Sequence, residues 1–106
     1  MSENLGGFEH RVLLAMMRLG ACAYTVPIVD ELERVGGRTV SPSAVYVTLR
    51  RLEKRALLTS EMAPPGPGEG GRDRRVFTVT ADGVRLLRDT RRDLMDLWSG
   101  VEALKP

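Results

Sequence analysis

Thiol and imidazole groups are nearly missing from this chain, which has one of each. The lone cysteine, Cys22, excludes an internal disulfide, and no second thiol exists to complete a cysteine-based zinc site. It reads as a small buried residue rather than a redox switch. The lone histidine, His10, has no partner of its own type for a metal site and takes a surface or half-buried structural role. No apolar stretch approaches the ~20 residues needed to cross a bilayer. The N-terminus, MSENLGGFEH, lacks a charged region followed by an apolar run, so no signal peptide is expected and the chain reads as soluble and cytoplasmic. Also lacking are a Gly-rich phosphate loop between strand and helix, a cluster of metal ligands, and a histidine paired in sequence context with a nucleophile. Neither an enzyme nor a bound cofactor or metal is expected. Net charge is small as well, at +2 from 16 basic and 14 acidic residues, and does not by itself argue for a polyanionic partner. With 106 residues there is room for one modest core and not for two.

What is present is an uneven distribution of cations. Arg50, Arg51, Lys54 and Arg55 cluster in one stretch, Arg72, Arg74 and Arg75 in the next, and Arg85, Arg88, Arg91 and Arg92 near the end, while acids gather at Asp30, Glu31 and Glu33. The first cluster lies in SPSAVYVTLRRLEKRALL, Ser41 to Leu58, which reads as a helix. Ser41 is suited to accept a backbone N–H as N-cap, and Pro42 at the first helical position gives up only a donor that had no partner. At 100° per residue Val45, Leu49, Leu52 and Ala56 fall on one apolar face. Ser43, Val47, Arg50 and Lys54 occupy the opposite arc, flanked by Tyr46 and Arg51. Such a face is either simply solvated or suited to a negatively charged groove.

The neighbours of this helix favour the groove. Leu5 to Leu19 forms a first helix with Phe8, Val12, Ala15, Met16 and Leu19 at helical spacing, stopped by Gly20. Thr25 is placed to cap a second helix through Val35, with Pro27 in its first turn and Ile28, Leu32 and Val35 facing inward. Gly36-Gly37 ends it, and a short turn leads to Ser41, the arrangement of a helix-turn-helix. Leu57 to Met62 then alternates like a strand, APPGPGEGGRD cannot hold regular structure, and RVFTVT, Arg75 to Thr80, is a second strand. The pair makes a two-stranded wing whose descending side carries Arg72, Arg74 and Arg75. A basic helix beside a basic wing is the combination expected to bind double-stranded DNA. The competing reading is a winged-helix module whose basic helix meets an acidic protein.

Thr80 is placed to cap a last helix running to about Leu104, with Asp82 in its first turn. Leu87, Leu94 and Val101 repeat every seven residues, with Thr90, Leu97 and Leu104 between them, a heptad seam. So long an apolar stripe exceeds what three short helices and a hairpin can cover, which makes a second copy of the chain its natural partner. Residues 1–80 then form the DNA-binding part and 81–106 the dimerisation helix of a mainly α (α+β) winged helix-turn-helix. Dimer contacts are expected from Leu87, Leu94, Leu97, Trp98, Val101 and Leu104. Trp98 lies beside the seam, where two copies either line a pocket for a small, flat hydrophobic effector or simply pack the interface.

Read end to end, the sequence resembles the PadR family of winged helix-turn-helix transcriptional regulators, in its short form with a single C-terminal helix. The resemblance rests on LGGFEHRVLLAMMRLG, the turn AYTVPI, SPSAVYVTLRRLEKRALL with its Tyr-x-x-Leu-x-Arg-Leu-Glu run, and the FTVTADG junction into the last helix. Two positions depart from it, Thr25 and Ala56, where the family often has glycine. Ala56 removes an easy helix terminator, so the helix is expected to end later or in a tighter turn. The resemblance implies a homodimeric repressor that leaves a palindromic operator when an effector binds. It also implies that Tyr46 touches a phosphate, that Arg50 and Lys54 sit in or over the major groove, and that Arg72, Arg74 and Arg75 reach the flanking backbone or minor groove. Ser43, Val47 and Arg51 complete the expected DNA face.

Overall fold

The computed structural model describes residues 5–101. It runs α1 (Gly7–Arg18), β1 (Cys22–Ala23), α2 (Thr25–Gly36), α3 (Pro42–Lys54), β2 (Leu58–Ala63), β3 (Arg74–Val79) and α4 (Ala81–Trp98). The three N-terminal helices pack on one another, and the strands form one antiparallel sheet in the order β1-β3-β2. The expected two-stranded wing therefore gains a third strand, since Cys22 and Ala23 pair with Thr78 and Phe77. Two residues are too short a run to leave an alternation signal in the sequence. Cys22 is exposed there, not buried.

Each helix is built from a stripe and two ends. Val12, Leu13, Ala15 and Met16 are the buried stripe of α1, whereas Phe8 is 38% exposed and lies outside the core. The Glu9 carboxylate accepts the Gly6 N–H at 2.9 Å to cap its start. At its end the Ala21 N–H reaches Met16 O and the Gly20 N–H reaches Met17 O, a Schellman closure with Gly20 at φ +93°. In α2 the expected cap is displaced by one residue. Pairing of β1 holds the chain extended through Tyr24, so Tyr24 is the N-cap, without a side-chain bond, and Thr25 is already helical. Ile28, Val29 and Leu32 form its inward stripe. Val35 is 61% exposed, because it falls in the last turn, where it lines a shallow hollow with Leu14 and Arg18.

In α3, Ser41 Oγ accepts the Ala44 N–H at 3.2 Å and Pro42 opens the helix. Val45, Leu49 and Leu52 are completely buried, with Thr48 beside them. The helix stops at Lys54 rather than continuing to Leu58. The Leu57 N–H bonds Leu52 O at 3.0 Å, the Ala56 N–H bonds Glu53 O at 2.9 Å, and Ala56 takes φ +60°. Ala56 is thus an exposed left-handed hinge, not the fourth member of the apolar stripe. The tight closure brings Leu57 back over Leu52 and aims β2 at β3, where Leu58 faces Val79 and Ala63 faces Arg74. Residues 64–73 connect the strands without helix or strand, apart from a small turn in which Glu69 accepts the Gly66 N–H.

Thr80 joins the sheet to α4 through both of its hydrogen-bonding roles. Its hydroxyl accepts the Gly83 N–H at 3.1 Å and donates to Ala56 O at 2.9 Å. Gly83 is required by close approach: a Cβ there would stand 2.5 Å from Leu57 O and 2.8 Å from Val79 Cγ1. The first half of α4 packs on α1 and β3 through Leu87, while every residue from Arg91 to Val101 is exposed. The helix ends at Trp98, short of Leu104, because Ser99 turns extended and Gly100 takes φ +85°. Val101 therefore lies in a turn beyond the helix, and Leu104 lies outside the described residues. Among the described residues no helix is long and apolar enough to cross a membrane.

Candidate nucleic-acid interface

Burying Val45, Leu49 and Leu52 forces the opposite side of α3 outward. Ser43, Tyr46, Val47, Arg50, Arg51 and Lys54 are all exposed, Val47 by 48%. An unburied valine among cations gives this face an apolar spot within a positive surface. Tyr46 is set differently from its neighbours. Its ring meets Phe77 of the core edge-on, with centroids 6.1 Å apart, so the ring is held and the hydroxyl faces outward. Arg50 Nη1 lies 3.5 Å from that hydroxyl, a weak contact, and its Nε lies 3.6 Å from Glu53 Oε1.

The wing arginines divide by strand alternation. Arg75 shares a face of β3 with the buried Phe77 and Val79, and its Nη1 donates to Ser60 Oγ at 3.0 Å. Ser60 Oγ in turn donates to Glu53 Oε2 at 2.5 Å, which brings the wing back to α3. Arg74 points to the other face, where its guanidinium lies 4.2 Å over the Tyr24 ring and 3.6 Å from Glu69 Oε1. Arg72 is exposed on the connection. Among the described residues the side chains of Arg51, Lys54 and Arg72 have no ion pair. The expected DNA-facing residues thus fall on two adjoining elements, bridged by Glu53 and Ser60. The bridge, Tyr24 beneath Arg74, and Glu69 escaped the sequence reading. Glu53 was in view as the last residue of the Tyr-x-x-Leu-x-Arg-Leu-Glu run, three residues after Arg50, but nothing local announces that Ser60 folds back to it.

A second feature lies away from this surface, on α1 and α4. A groove of about 490 Å³ runs between them, walled mainly by Leu14, Met17, Val84, Leu87, Leu94 and Met95. Leu14 is 45% and Met95 52% exposed. Leu97 and Trp98 lie farther along α4 and, with Leu94 and Val101, line a separate shallow hollow of about 190 Å³. Trp98 does not line the larger groove. The contributions of Leu14, Met17 and Met95 were not anticipated, although Leu14 and Met17 sit one turn apart on α1. Among the described residues there is no cluster able to hold a metal ion.

Glu31 carries the clearest electrostatic perturbation. Its carboxylate accepts from Arg34 Nη2 at 2.6 Å and from Arg18 Nε at 2.5 Å, joining α2 to α1. These bonds, Arg34's first, hold the carboxyl down at about 2 and raise the Arg34 guanidinium above its ordinary range. The cluster lies outside the α3–wing surface and reads as a structural tie.

The comparisons with known proteins agree with this fold. The profile of the "Transcriptional regulator PadR-like family" matches residues 13–89. Transcriptional regulator Rv3488 of Mycobacterium tuberculosis is 43% identical over 70 residues, which are 66% of this chain and 61% of that protein, less than two thirds of the relative's length. A PadR family transcriptional regulator from Eggerthella lenta superposes with a TM-score of 0.68 at 29% identity, over 90% of this chain and 84% of the other. A PadR-like transcriptional regulator from Bacillus cereus gives 0.72 at 19% identity, over 90% and 87%, a likeness of fold. With its four helices, small antiparallel sheet and wing, the chain is a winged helix, mainly α, and belongs to the PadR-like family, a family of transcriptional regulators rather than of enzymes.

Proposed function

We propose that the protein acts in the cytoplasm as a homodimeric, sequence-specific repressor that binds an inverted-repeat operator. The observation that carries this reading is the outward face of α3, with Tyr46, Val47, Arg50, Arg51 and Lys54, joined side by side to the basic wing. Residues 1–80 serve DNA binding and 81–106 dimerisation. Arg50 makes a bidentate contact to guanine, Val47 packs on a thymine methyl, and Tyr46 and Ser43 bond phosphate oxygens. Arg51, Lys54, Arg72, Arg74 and Arg75 grip the backbone, and each phosphate they neutralise steepens the log–log salt dependence by about 0.9.

The apolar groove between α1 and α4, with the exposed Leu94, Leu97, Trp98 and Val101, supports the dimer. Leu87 is already buried within the protomer and contributes less to that contact than its heptad position promised. Leu104 belongs to the same proposal by sequence alone. A two-fold dimer sets half-sites about one helical turn, roughly 34 Å, apart. A small hydrophobic effector accommodated near Trp98 at the dimer axis would bias the separation of the two reading helices and release the operator.

Selection of bound duplexes from random DNA at about physiological salt tests the reading. A palindromic consensus is expected. A folded, dimeric protein that returns no consensus would refute sequence-specific repression and leave the basic helix to an acidic protein partner.

A further inference from the structure

The acid at the centre of the basic surface needs an account. Glu53 stands on α3 three residues after Arg50, where a carboxylate repels the phosphates that its neighbours are suited to attract. Yet both of its oxygens are engaged, one toward each element of the interface. Oε1 faces Arg50 Nε at 3.6 Å, and Oε2 accepts from Ser60 Oγ at 2.5 Å. The direction of the relay is fixed by chemistry. A carboxylate only accepts and a guanidinium only donates, so the Ser60 hydroxyl spends its single hydrogen on Glu53 and receives Arg75 Nη1 at 3.0 Å. The contacts run from Tyr46 through Arg50, Glu53 and Ser60 to Arg75, with loose approaches of 3.5 and 3.6 Å around Arg50 and two close hydrogen bonds at Ser60, from the reading helix to the wing.

We propose that Glu53 is a positioning residue that sets Arg50 and Arg75 in one register, so that base reading by α3 and backbone grip by the wing act as a unit. The inference rests on the DNA-binding reading above. By attracting Nε, Glu53 restrains the Arg50 side chain while leaving Nη2 and, once the Tyr46 hydroxyl bonds a phosphate instead, Nη1 for a guanine edge. The restraint lowers the entropy lost when the arginine docks, a gain realised only where a guanine is in place. On any other duplex the carboxylate contributes repulsion alone. Glu53 therefore sharpens selectivity at the expense of overall affinity.

The test uses the full-length protein, its selected duplex and a scrambled duplex of equal length. Glu53→Gln keeps size and an acceptor for Ser60 but removes the charge. Binding to scrambled DNA is expected to tighten about two- to fivefold, and the preference for the selected duplex to fall about fivefold or more, within the range of one good base contact. Arg50→Ala and Arg75→Ala, combined in the wild-type background, should be non-additive by at least about threefold. That coupling should disappear in both Glu53→Gln and Ser60→Ala, whereas Ser60→Ala should leave the preference read by Arg50 in place. A merely structural glutamate would change stability and weaken both duplexes alike. Unchanged selectivity in Glu53→Gln, or independent effects of Arg50 and Arg75 in the wild type, overturns the proposal. Should Glu53→Gln not fold, the coupling measured in Ser60→Ala decides it. Wild-type protein that prefers no duplex would instead remove the DNA-binding reading itself.

Discussion

Replacing Ala56 with glycine should stabilise the protein, although glycine is the poorer helix former. Ala56 sits at φ +60°, just past the last turn of α3. For an L-residue with a Cβ the left-handed region costs about 1–2 kcal/mol, whereas glycine enters it freely. Against that gain, glycine adds unfolded-state entropy of about 0.4–1 kcal/mol. The remaining terms cancel. The methyl is exposed, and the Ala56 N–H to Glu53 O and Thr80 Oγ1 to Ala56 O bonds use only backbone atoms of residue 56. The net expectation is about 0.5–1 kcal/mol of added stability, or about 2–8 °C in Tm for a domain near this size. Thermal melts followed by circular dichroism, at one fixed protein concentration because assembly shifts Tm, would measure it. A series sharpens the result: Gly should exceed Asn, Asn should exceed Ala, and Val should fall below all three, following tolerance of positive φ. If residue 56 were simply a frayed end of the helix, Ala56→Gly would lower stability by up to about 1 kcal/mol. A fall in Tm, or an order that follows helix propensity, would refute the reasoning.

Gly83 predicts the opposite sign at the opposite side of the same junction. Gly83→Ala drives a Cβ into Leu57 O and Val79 Cγ1 and should cost about 1–3 kcal/mol despite improving helix propensity, read as a lower midpoint in urea unfolding. Acid should weaken the tie between α1 and α2. Because the folded Glu31 carboxyl is held down at about 2, its contribution is fully present above the ordinary glutamate range and is lost as the pH falls toward 2. Glu31→Gln should therefore flatten the acid limb of stability against pH while leaving its shape above pH 6 unchanged, and an identical acid limb would contradict the assignment. Arg50→Ala should weaken binding to the selected duplex by about 1–3 kcal/mol and relax preference at one base pair, measured by competition; equal losses on scrambled DNA would make Arg50 a phosphate contact. Leu97→Glu places a charge on an exposed apolar face and should yield folded monomer in sedimentation, whereas an unaltered dimer would move the interface off that part of α4.

The helices were legible because their information is local. Ser41-Pro42, the Val45–Leu49–Leu52 spacing and Thr80 with its following turn each state a start or a buried face within a few residues. What escaped was set by contacts distant in sequence. Tyr24 rather than Thr25 caps α2 because β1 pairs with a strand more than fifty residues later, and β1, only two residues long, has no periodic signature of its own. At the end of α3 the tighter turn forms, of the two outcomes expected for Ala56, and the helix stops short of Leu58; alanine itself carries no mark of a left-handed residue, and the shape comes from Leu57 burying itself over the core. The last helix was overextended because a heptad spacing says nothing of Ser99-Gly100 leaving the helical conformation. In the candidate interface, exposure of the α3 cations followed directly from burial of their opposite face. Their pairing did not, since Glu53 meets Ser60 and Arg74 meets Tyr24 only through the fold.

Those pairings sort the cations by the work each can do on DNA. A free Arg or Lys approaching a phosphate loses rotamer freedom worth up to about 2 kcal/mol, and it trades water and counterions for a contact every sequence offers. Arg51, Lys54 and Arg72 are of this kind among the described residues. Arg50, Arg74 and Arg75 arrive already restrained, by Glu53, by the Tyr24 ring with Glu69, and by Ser60. Restraint removes part of the docking entropy, but the neighbouring carboxylates offset some of the attraction to phosphate. Such residues gain most where geometry is exacting and least where any negative charge will serve. On the proposed DNA-binding reading, the unpaired cations should set the salt dependence and the hold on random DNA, and the restrained ones the register. Neutralising Arg51 and Lys54 should therefore lower affinity across all duplexes while preserving the ranking among them, and disturbing the partners of Arg50 should reorder that ranking with little loss of affinity.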